Sequence, residues 1–583
     1  SGHTDVKTIH TALDNWIDTD NVILEDNECG LLTEQLAESL VIALMNAEII
    51  EREAGRARTE DGAYYEAYGI TDAINDLRYV TIMSMWDKAS PRMQPMRHAL
   101  TWNRNGKCEL KNFRMINGAS KPSPEFAHSM NYMGHTAYMV NTDIRDELTL
   151  WLERDECPEL PENETEALKV MNQFKDKVKI VEELLELPIG IVLYFPHTAD
   201  WRGRAYARGG LTQFQSIKEC RSMLDFAAMS TINTDTARKG LYLHVANAFG
   251  RDKLSINGRM LWVHNNHDAI MAGEFDEGIY SLRAKFALQE VFATGQTNII
   301  CHIDGTCNGT QWTAAMYRDE KTAALVNVMA AGLDDTPQDL YGVIAETAAK
   351  LATGKEKDAL IKFNRDLSKA PIMVLGYGAG EATLKRACAD YLTAKAHSAN
   401  GDKVYKAIMT AISLKAPAVT KLTKNLKRIL KASPKKVVDW FVPDLQVHAE
   451  INETEHLNLH GSSYTAKLNA RILTEQEEQD LFKSECDALA RGISPNYVHS
   501  LDSAHLRAVN RVAKGGLSCI HDSIGCPAHR VLEVNQIIRE QFYYLNNECD
   551  LVANIYSALN QPYKRQVGKL DIKEVLEASY IFS

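Results

Sequence analysis

Residues 298–304 read NIICHID and residues 516–522 read GLSCIHD, two short apolar runs that each stop at an aspartate. Runs of this length bounded by turn residues read as buried strands, so Asp304 and Asp522 stand as carboxylates at strand ends. A strand fixes such a carboxylate in space, and oxygen ligands suit a hard cation such as magnesium. Neither aspartate is decisive alone, because Asp followed by Gly305 or Ser523 is also ordinary turn chemistry.

Working outward, residues 363–380 read FNRDLSKAPIMVLGYGAG and place Arg365, Lys369, Met373 and Tyr377 at successive i, i+4 spacing. On a helix these lie along one stripe. Two cations, an apolar step and a phenol suit a triphosphate, a base and a sugar in sequence. Pro371 within this stretch removes a backbone hydrogen bond and predicts a kink.

Residues 200–204, DWRGR, set Arg202 and Arg204 around Gly203. Two guanidiniums so placed suit a forked grip on nucleic-acid backbone; a surface ion-pair cluster has the same composition. Residues 415–438 hold eight lysines and arginines and no acid. At helical spacing Lys424, Lys427, Arg428 and Lys431 share one face, while Leu422, Leu426, Ile429 and Leu430 tend to the other. That pattern fits a solvated amphipathic helix or a surface against phosphates.

The wider chain supports a large folded enzyme. It has 583 residues, 45% hydrophobic and 24% charged, which excludes a disordered, collagenous or coiled-coil class and predicts two or three domains. No run of about 18 apolar residues predicts a membrane span, and no secretory pattern opens the chain; the expected location is cytoplasmic. Ser1-Gly2-His3 reads as a remnant of tag cleavage and is set aside. Eleven scattered cysteines read as reduced thiols. Cys519, His521, Cys526 and His529 match no common zinc spacing, and a buried strand pair is the stronger reading there. The net charge of -12 lacks the basic footprint of a nucleic-acid binder, yet a large enzyme can confine positive potential to one cleft.

Along the chain, residues 31–60 and 123–190 carry helical periodicity, so the N-terminal third reads as mostly helical. Asn105-Gly106 has the turn chemistry of a β-hairpin. The proline-punctuated acidic stretch 155–166 reads as an exposed loop, and a boundary is expected near residue 190. Beyond it, strands and helices alternate.

DWRGR, DGTCNGTQ, the Arg365-Lys369-Met373-Tyr377-Gly378 ladder, PNYVHSLDSAHL and CIHDS occur in the order found in single-subunit RNA polymerases of bacteriophages and mitochondria, and the chain resembles that family from about Lys121 onward. The resemblance implies an α+β, right-hand polymerase fold with a mostly helical N-terminal region. Residues 1–120 would be a reduced N-terminal domain, 121–190 thumb-like helices, and 191–583 palm and fingers, with fingers at about 320–440 and a hairpin region at about 447–499. It implies two Mg2+ ions held by Asp304, Asp522 and the Gly305 carbonyl. Arg365 and Lys369 match triphosphate-binding residues, Tyr377 the residue by the incoming sugar, His499 the histidine near the ribose 2′-hydroxyl, and Arg204 an arginine of the hybrid-binding segment. Lys369 is also placed to protonate the leaving pyrophosphate.

The implied activity is DNA-templated RNA synthesis, with DNA template, RNA product and ribonucleoside triphosphates as partners. Departures from the family shape a further expectation. The stretch before DWRGR is short for a promoter-reading domain, and the hairpin region carries Glu450, Glu453, Glu455, Glu475, Glu477 and Glu478, which repel phosphates. Ala382 stands where some relatives have an aromatic. Single-stranded or partner-opened template is therefore expected, with a single-stranded-DNA-binding or promoter-opening protein as the accessory. The rival readings are a primase-like RNA polymerase, a related DNA polymerase, and a nucleic-acid-binding protein without catalysis.

Overall fold

The computed structural model describes residues 50–58, 64–70, 98–110, 113–154, most of 167–177, 187, 189–208, 213–275, 278–332, 335–376, 379–450, 454–459, 462–467, 475–563 and 568–583. The chain divides into two compact units, one of residues 1–92 with 452–485, the other of 93–451 with 486–583.

In the first unit, strand Ile50–Arg58 pairs antiparallel with Tyr64–Ile70, and Thr454–Leu459 with Ser462–Lys467. The helix expected over residues 31–60 is corrected at its end: Ile50–Arg58 is a strand. Gly55 weakens a helix there and lies where the ladder register shifts, between Arg52 and Arg56; the tyrosine-rich partner supplies residues that favour a sheet. Residues 31–49 and Glu453 lie outside the described residues, whereas Glu455 lies in strand Thr454–Leu459.

In the second unit a three-stranded antiparallel sheet sits at the core. Ser523–Pro527 is its central strand, flanked by Ile300–Asp304 and Ser518–Ile520. Cys301, Ile303, Cys519, Ile524 and Cys526 are all buried: each apolar run supplies a flanking strand, and the stretch holding Cys519 and Cys526 forms the expected buried strand pair. The second run differs in one respect: its strand ends at Ile520, and Asp522 belongs to the two-residue turn that follows. His521 starts that turn at φ 53°, the left-handed region.

Helices Asp235–Ala248 and Val531–Glu548 cover the sheet. The approach is close at Gly240, where an added Cβ would lie 2.2 Å from the Ala528 carbonyl oxygen. Helix Glu475–Val512 carries PNYVHSLDSAHL and retains Pro495 inside. Its Arg507 is buried against Asp444, at 2.6 Å, in the turn after strand Val437–Val442. Arg511 joins the same carboxylate at 2.9 Å, and Arg507 also donates to the Gly203 carbonyl, which ties the DWRGR loop to the long helix.

Helix Gly354–Gly376 breaks at Asn364, with φ 36° and ψ -113°, and Pro371 is kept inside it. The expected kink is thus displaced from the proline to an asparagine, a residue type that tolerates positive φ. Helix Ala418–Ala432 has the expected two faces: Leu422, Leu426, Ile429 and Leu430 are buried, and Lys424, Lys427, Arg428 and Lys431 are exposed.

Asn105-Gly106 forms a tight turn, with Gly106 N donating to Asn103 O at 3.0 Å, but no strand ladder flanks it. The Asn131 amide takes both backbone groups of Trp102, at 2.6 and 2.8 Å, so the pairing edge a hairpin needs is already used. Helices Pro124–Gly134 and Thr142–Glu153 follow, separated by strand Ala137–Val140. Among the described residues no helix is long and apolar enough to cross a membrane.

Candidate active site

The strand Ile300–Asp304 runs through Gly305 and Thr306 to Cys307, whose φ of 56° turns the chain into helix Asn308–Met316. Asp304 pairs with Ser523 across the ladder, and Gly305 N donates to the Asp522 carbonyl at 3.2 Å. The strand end and the turn therefore bring the two aspartates side by side. A third strand of chain braces them: Ser583 N donates to the Asp304 carbonyl at 3.0 Å, and Gly305 bridges to Phe582.

Asp304, Gly305 and Asp522 line a cavity of ≈ 230 Å³ together with Arg365, Lys369 and Met373 from the kinked helix. The stripe read from i, i+4 spacing thus faces the carboxylates, on a helix described as far as Gly376; Tyr377 lies outside the described residues. Burial, then the charges of Asp502 and Asp304, push the Asp522 carboxyl up to about 6. Arg204 partly offsets that rise and pairs with Asp502 at 2.6 Å, while Arg365 pairs with Asp339 at 3.0 Å.

Further residues reach the cavity that sequence reasoning missed: Asp252, Lys253, Cys307, Asp339 and Tyr341. Lys253 lies 2.9 Å from Asp252 in the loop after helix Asp235–Ala248. Asp339 caps helix Leu340–Leu351 and holds Arg365, whose guanidinium stacks over the Tyr341 ring at 5.4 Å. Burial, then neighbouring Cys307, pushes the Tyr341 phenol upward. Asp339 was findable from sequence as an N-cap before an apolar run. Asp252 and Lys253 offer no periodic signal and are recruited only by the tertiary fold.

His499, Arg202 and Arg204 do not line this cavity. They form an adjoining polar cluster linked to it through Asp502 and His521, the neighbours whose charges act on Asp522 and His499. Both guanidiniums of DWRGR have protein partners: Arg204 meets Asp502, while Arg202 meets Asp200 at 2.6 Å and His499 Nδ1 at 2.8 Å. Burial raises the Asp502 carboxyl even so. Burial, then Arg204, Arg202 and His521, pushes the His499 imidazole down to about 2, so it is neutral near pH 7. His521 is likewise pushed down to about 4, by burial first, and packs edge-on to Tyr206 at 5.3 Å.

A family model for DNA-dependent RNA polymerase matches residues 234–581, more than half of the chain and a span that includes both aspartates and the Arg365-Lys369 helix. The chain belongs to the DNA-dependent RNA polymerase family. It is 25% identical over 540 residues to a chloroplastic/mitochondrial DNA-directed RNA polymerase 2B of Nicotiana tabacum, covering 78% of this chain and 51% of that protein. It is 27% identical over 438 residues to the DNA-directed RNA polymerase of Pseudomonas phage phiKMV, covering 67% and 52%. The chain thus spans about half the length of these curated polymerases. DWRGR lies outside the span of the family model, whereas every cavity residue except Ser583 lies within it.

Proposed function

We propose that this polymerase-family chain carries out DNA-templated RNA synthesis by two-metal nucleotidyl transfer, on a right-hand arrangement of palm, fingers and thumb. The observation that carries the reading is the single cavity shared by Asp304, Asp522, Arg365 and Lys369.

The donor set fits magnesium: two adjacent carboxylates, one of them raised by burial and then by its acidic neighbours, form an oxygen-rich site. Asp304 and Asp522, with the Gly305 carbonyl, would hold two Mg2+ ions. When bound, such ions activate an RNA 3′-hydroxyl and neutralise charge on the phosphates. The chain's own groups do the positioning. Arg365, oriented by Asp339, and Lys369 bind the triphosphate, and Lys369 delivers a proton to departing pyrophosphate. Tyr377 and His499 bear on the sugar. Lys424, Lys427, Arg428 and Lys431 offer an acid-free face to template phosphates.

Template entry follows the same reasoning. Opening a duplex costs on the order of 1 to 2 kcal/mol per base-pair step in lost stacking, and the acidic 447–499 region offers little attraction for it. The chain therefore works best on single-stranded or partner-opened template. Transcription on matched single-stranded, pre-melted and closed duplex templates, each with rNTPs and with dNTPs, tests the whole reading. RNA made on the first two and little on the third is the expected result. Absence of templated synthesis on any of them overturns the function, preferential use of dNTPs favours a DNA polymerase, and equal initiation on closed duplex overturns the template requirement.

A further inference from the structure

The geometry points to Arg202 as a positioning residue for ribose selection, one that fixes the His499 ring in a single tautomer with its proton on Nε2. The inference rests on the proposed contact between His499 and the ribose, and goes beyond it by assigning a second residue and a chemical state.

Arg202 Nη1 lies 2.8 Å from His499 Nδ1. A guanidinium has only donors and does not lose its proton in a protein, so Nδ1 must accept. An accepting Nδ1 carries no hydrogen, and the neutral ring then holds its proton on Nε2. A ring hydrogen-bonded at one nitrogen is also fixed in orientation at the other.

Arg202 is itself held firmly. Its Nε and Nη2 donate to Asp200 Oδ2 at 3.0 and 2.6 Å, and Nη1 also reaches Asn496 Oδ1 at 3.3 Å. Tyr206 closes the set by donating to the same Asp200 oxygen at 3.2 Å. Asp200 in turn accepts the backbone N–H groups of Arg202 and Arg204, at 2.9 and 3.1 Å. The loop is thus folded around one carboxylate, and the guanidinium is directed at the imidazole. Such a network is suited to aiming a histidine and poorly suited to a forked grip on phosphate, which needs the donors that Asp200 takes.

Three charged or titratable neighbours of His499 act in one direction. Arg202 and Arg204 come from the DWRGR loop and His521 from the turn before Asp522, and each disfavours a second proton on the ring. A neutral Nε2–H is a hydrogen-bond donor. A ribose 2′-oxygen is an acceptor for such a donor, and deoxyribose lacks it.

The test uses the full chain in competition between rNTP and dNTP, comparing wild type with Arg202→Met, Arg202→Lys, His499→Ala and the Arg202→Met/His499→Ala pair. Arg202→Met is expected to lower ribose preference about fivefold to tenfold, the scale of one lost hydrogen bond. Arg202→Lys, which retains a donor, should restore part of it, and Arg202→Met should add nothing once His499 is gone. Ribose preference should be flat with pH in wild type and in Arg202→Met alike, because burial, Arg204 and His521 still hold the ring neutral when Arg202 is gone.

A measurement on wild type alone guards against a variant that fails to fold. The 15N spectrum of labelled imidazoles, assigned by loss of a signal in His499→Ala, should show Nδ1 unprotonated and Nε2 protonated at neutral pH. A proton on Nδ1, or an unchanged preference in folded Arg202→Met while His499→Ala loses it, overturns the role of Arg202 and leaves that of His499 standing. An unchanged preference in His499→Ala overturns the ribose contact itself, and this inference with it.

Discussion

The backbone N–H of Gly305 donates to the carbonyl oxygen of Asp522 at 3.2 Å, joining the end of one strand to the turn of a hairpin more than 200 residues later in the chain. That bond sets Asp304 and Asp522 side by side without using either carboxylate, and both acids line the cavity. The backbone does the placing, and in the proposed function the side chains supply the chemistry.

Replacing Asp304 or Asp522 with Asn should therefore abolish RNA synthesis and leave the fold intact, since the pairing that places them belongs to the main chain. Primer extension with Mg2+, alongside a thermal unfolding scan, checks both halves. A loss of only a fewfold in rate would contradict the assignment of these aspartates to metal.

Lys369 should separate binding from chemistry. In the proposed role it both holds the triphosphate and protonates pyrophosphate, so Lys369→Met should lower kcat and raise KM together. Arg365→Met removes a triphosphate contact without the proton and should act mainly on KM. Single-nucleotide incorporation at graded rNTP concentration distinguishes the two; the same pattern in both variants would show that Lys369 has no separate part in chemistry.

The Asp444-Arg507 pair should carry stability and not catalysis. Each side chain is 1% exposed, and Arg511 joins at 2.9 Å. Removing one partner from a buried pair strands a charge, at a cost of about 3–5 kcal/mol, so Asp444→Ala should lower the urea midpoint accordingly. Burial alone would raise the Asp444 carboxyl, but the two arginines outweigh it and hold the group below its ordinary value of 3.8. Because the folded value is the lower one, this stabilisation is fully present above the unfolded value and is lost as pH falls through the folded one. Wild-type stability measured from pH 6 down should thus fall more steeply at the acid end than that of Asp444→Ala.

How far the sequence spoke depended on where each signal was stored. The Arg365-Lys369-Met373 stripe was legible because helical spacing alone puts i, i+4 residues on one face, and the cavity is lined by all three. The same spacing found the faces of helix Ala418–Ala432. It failed for Ile50–Arg58, where Gly55 and a tyrosine-rich partner strand overrode a weak periodicity. The break at Asn364 was unreadable beside the more obvious Pro371, because either residue type can interrupt a helix and only packing selects between them. Asp252 and Lys253 come to the site from a loop with no pattern of its own, and the partners of DWRGR lie nearly 300 residues away in chain position, as in the Arg202-Asn496 contact. Such information is tertiary and has no local trace.

The basic helix gives the last prediction. Lys424, Lys427, Arg428 and Lys431 are exposed along one side of Ala418–Ala432, while its buried side packs on Asn308–Met316, the helix that starts from the Asp304 loop. Four positions spanning two helical turns cover roughly 10 Å at about 1.5 Å per residue, long enough to follow several phosphates of one strand. A merely solvated face would leave template affinity unchanged when its charge is removed, because the buried leucines hold the helix in place. A template surface would behave differently. Each phosphate contact releases counterions and adds about 0.9 to the slope of log affinity against log salt for duplex DNA, or about 0.7 for a single strand. Changing all four residues to Gln should therefore flatten that slope by about 3 units and weaken binding most at low salt, while kcat at saturating template stays near wild type. Fluorescence anisotropy with a labelled template over a salt series provides the measurement. An unchanged slope would return these residues to the role of an ordinary solvated helix face.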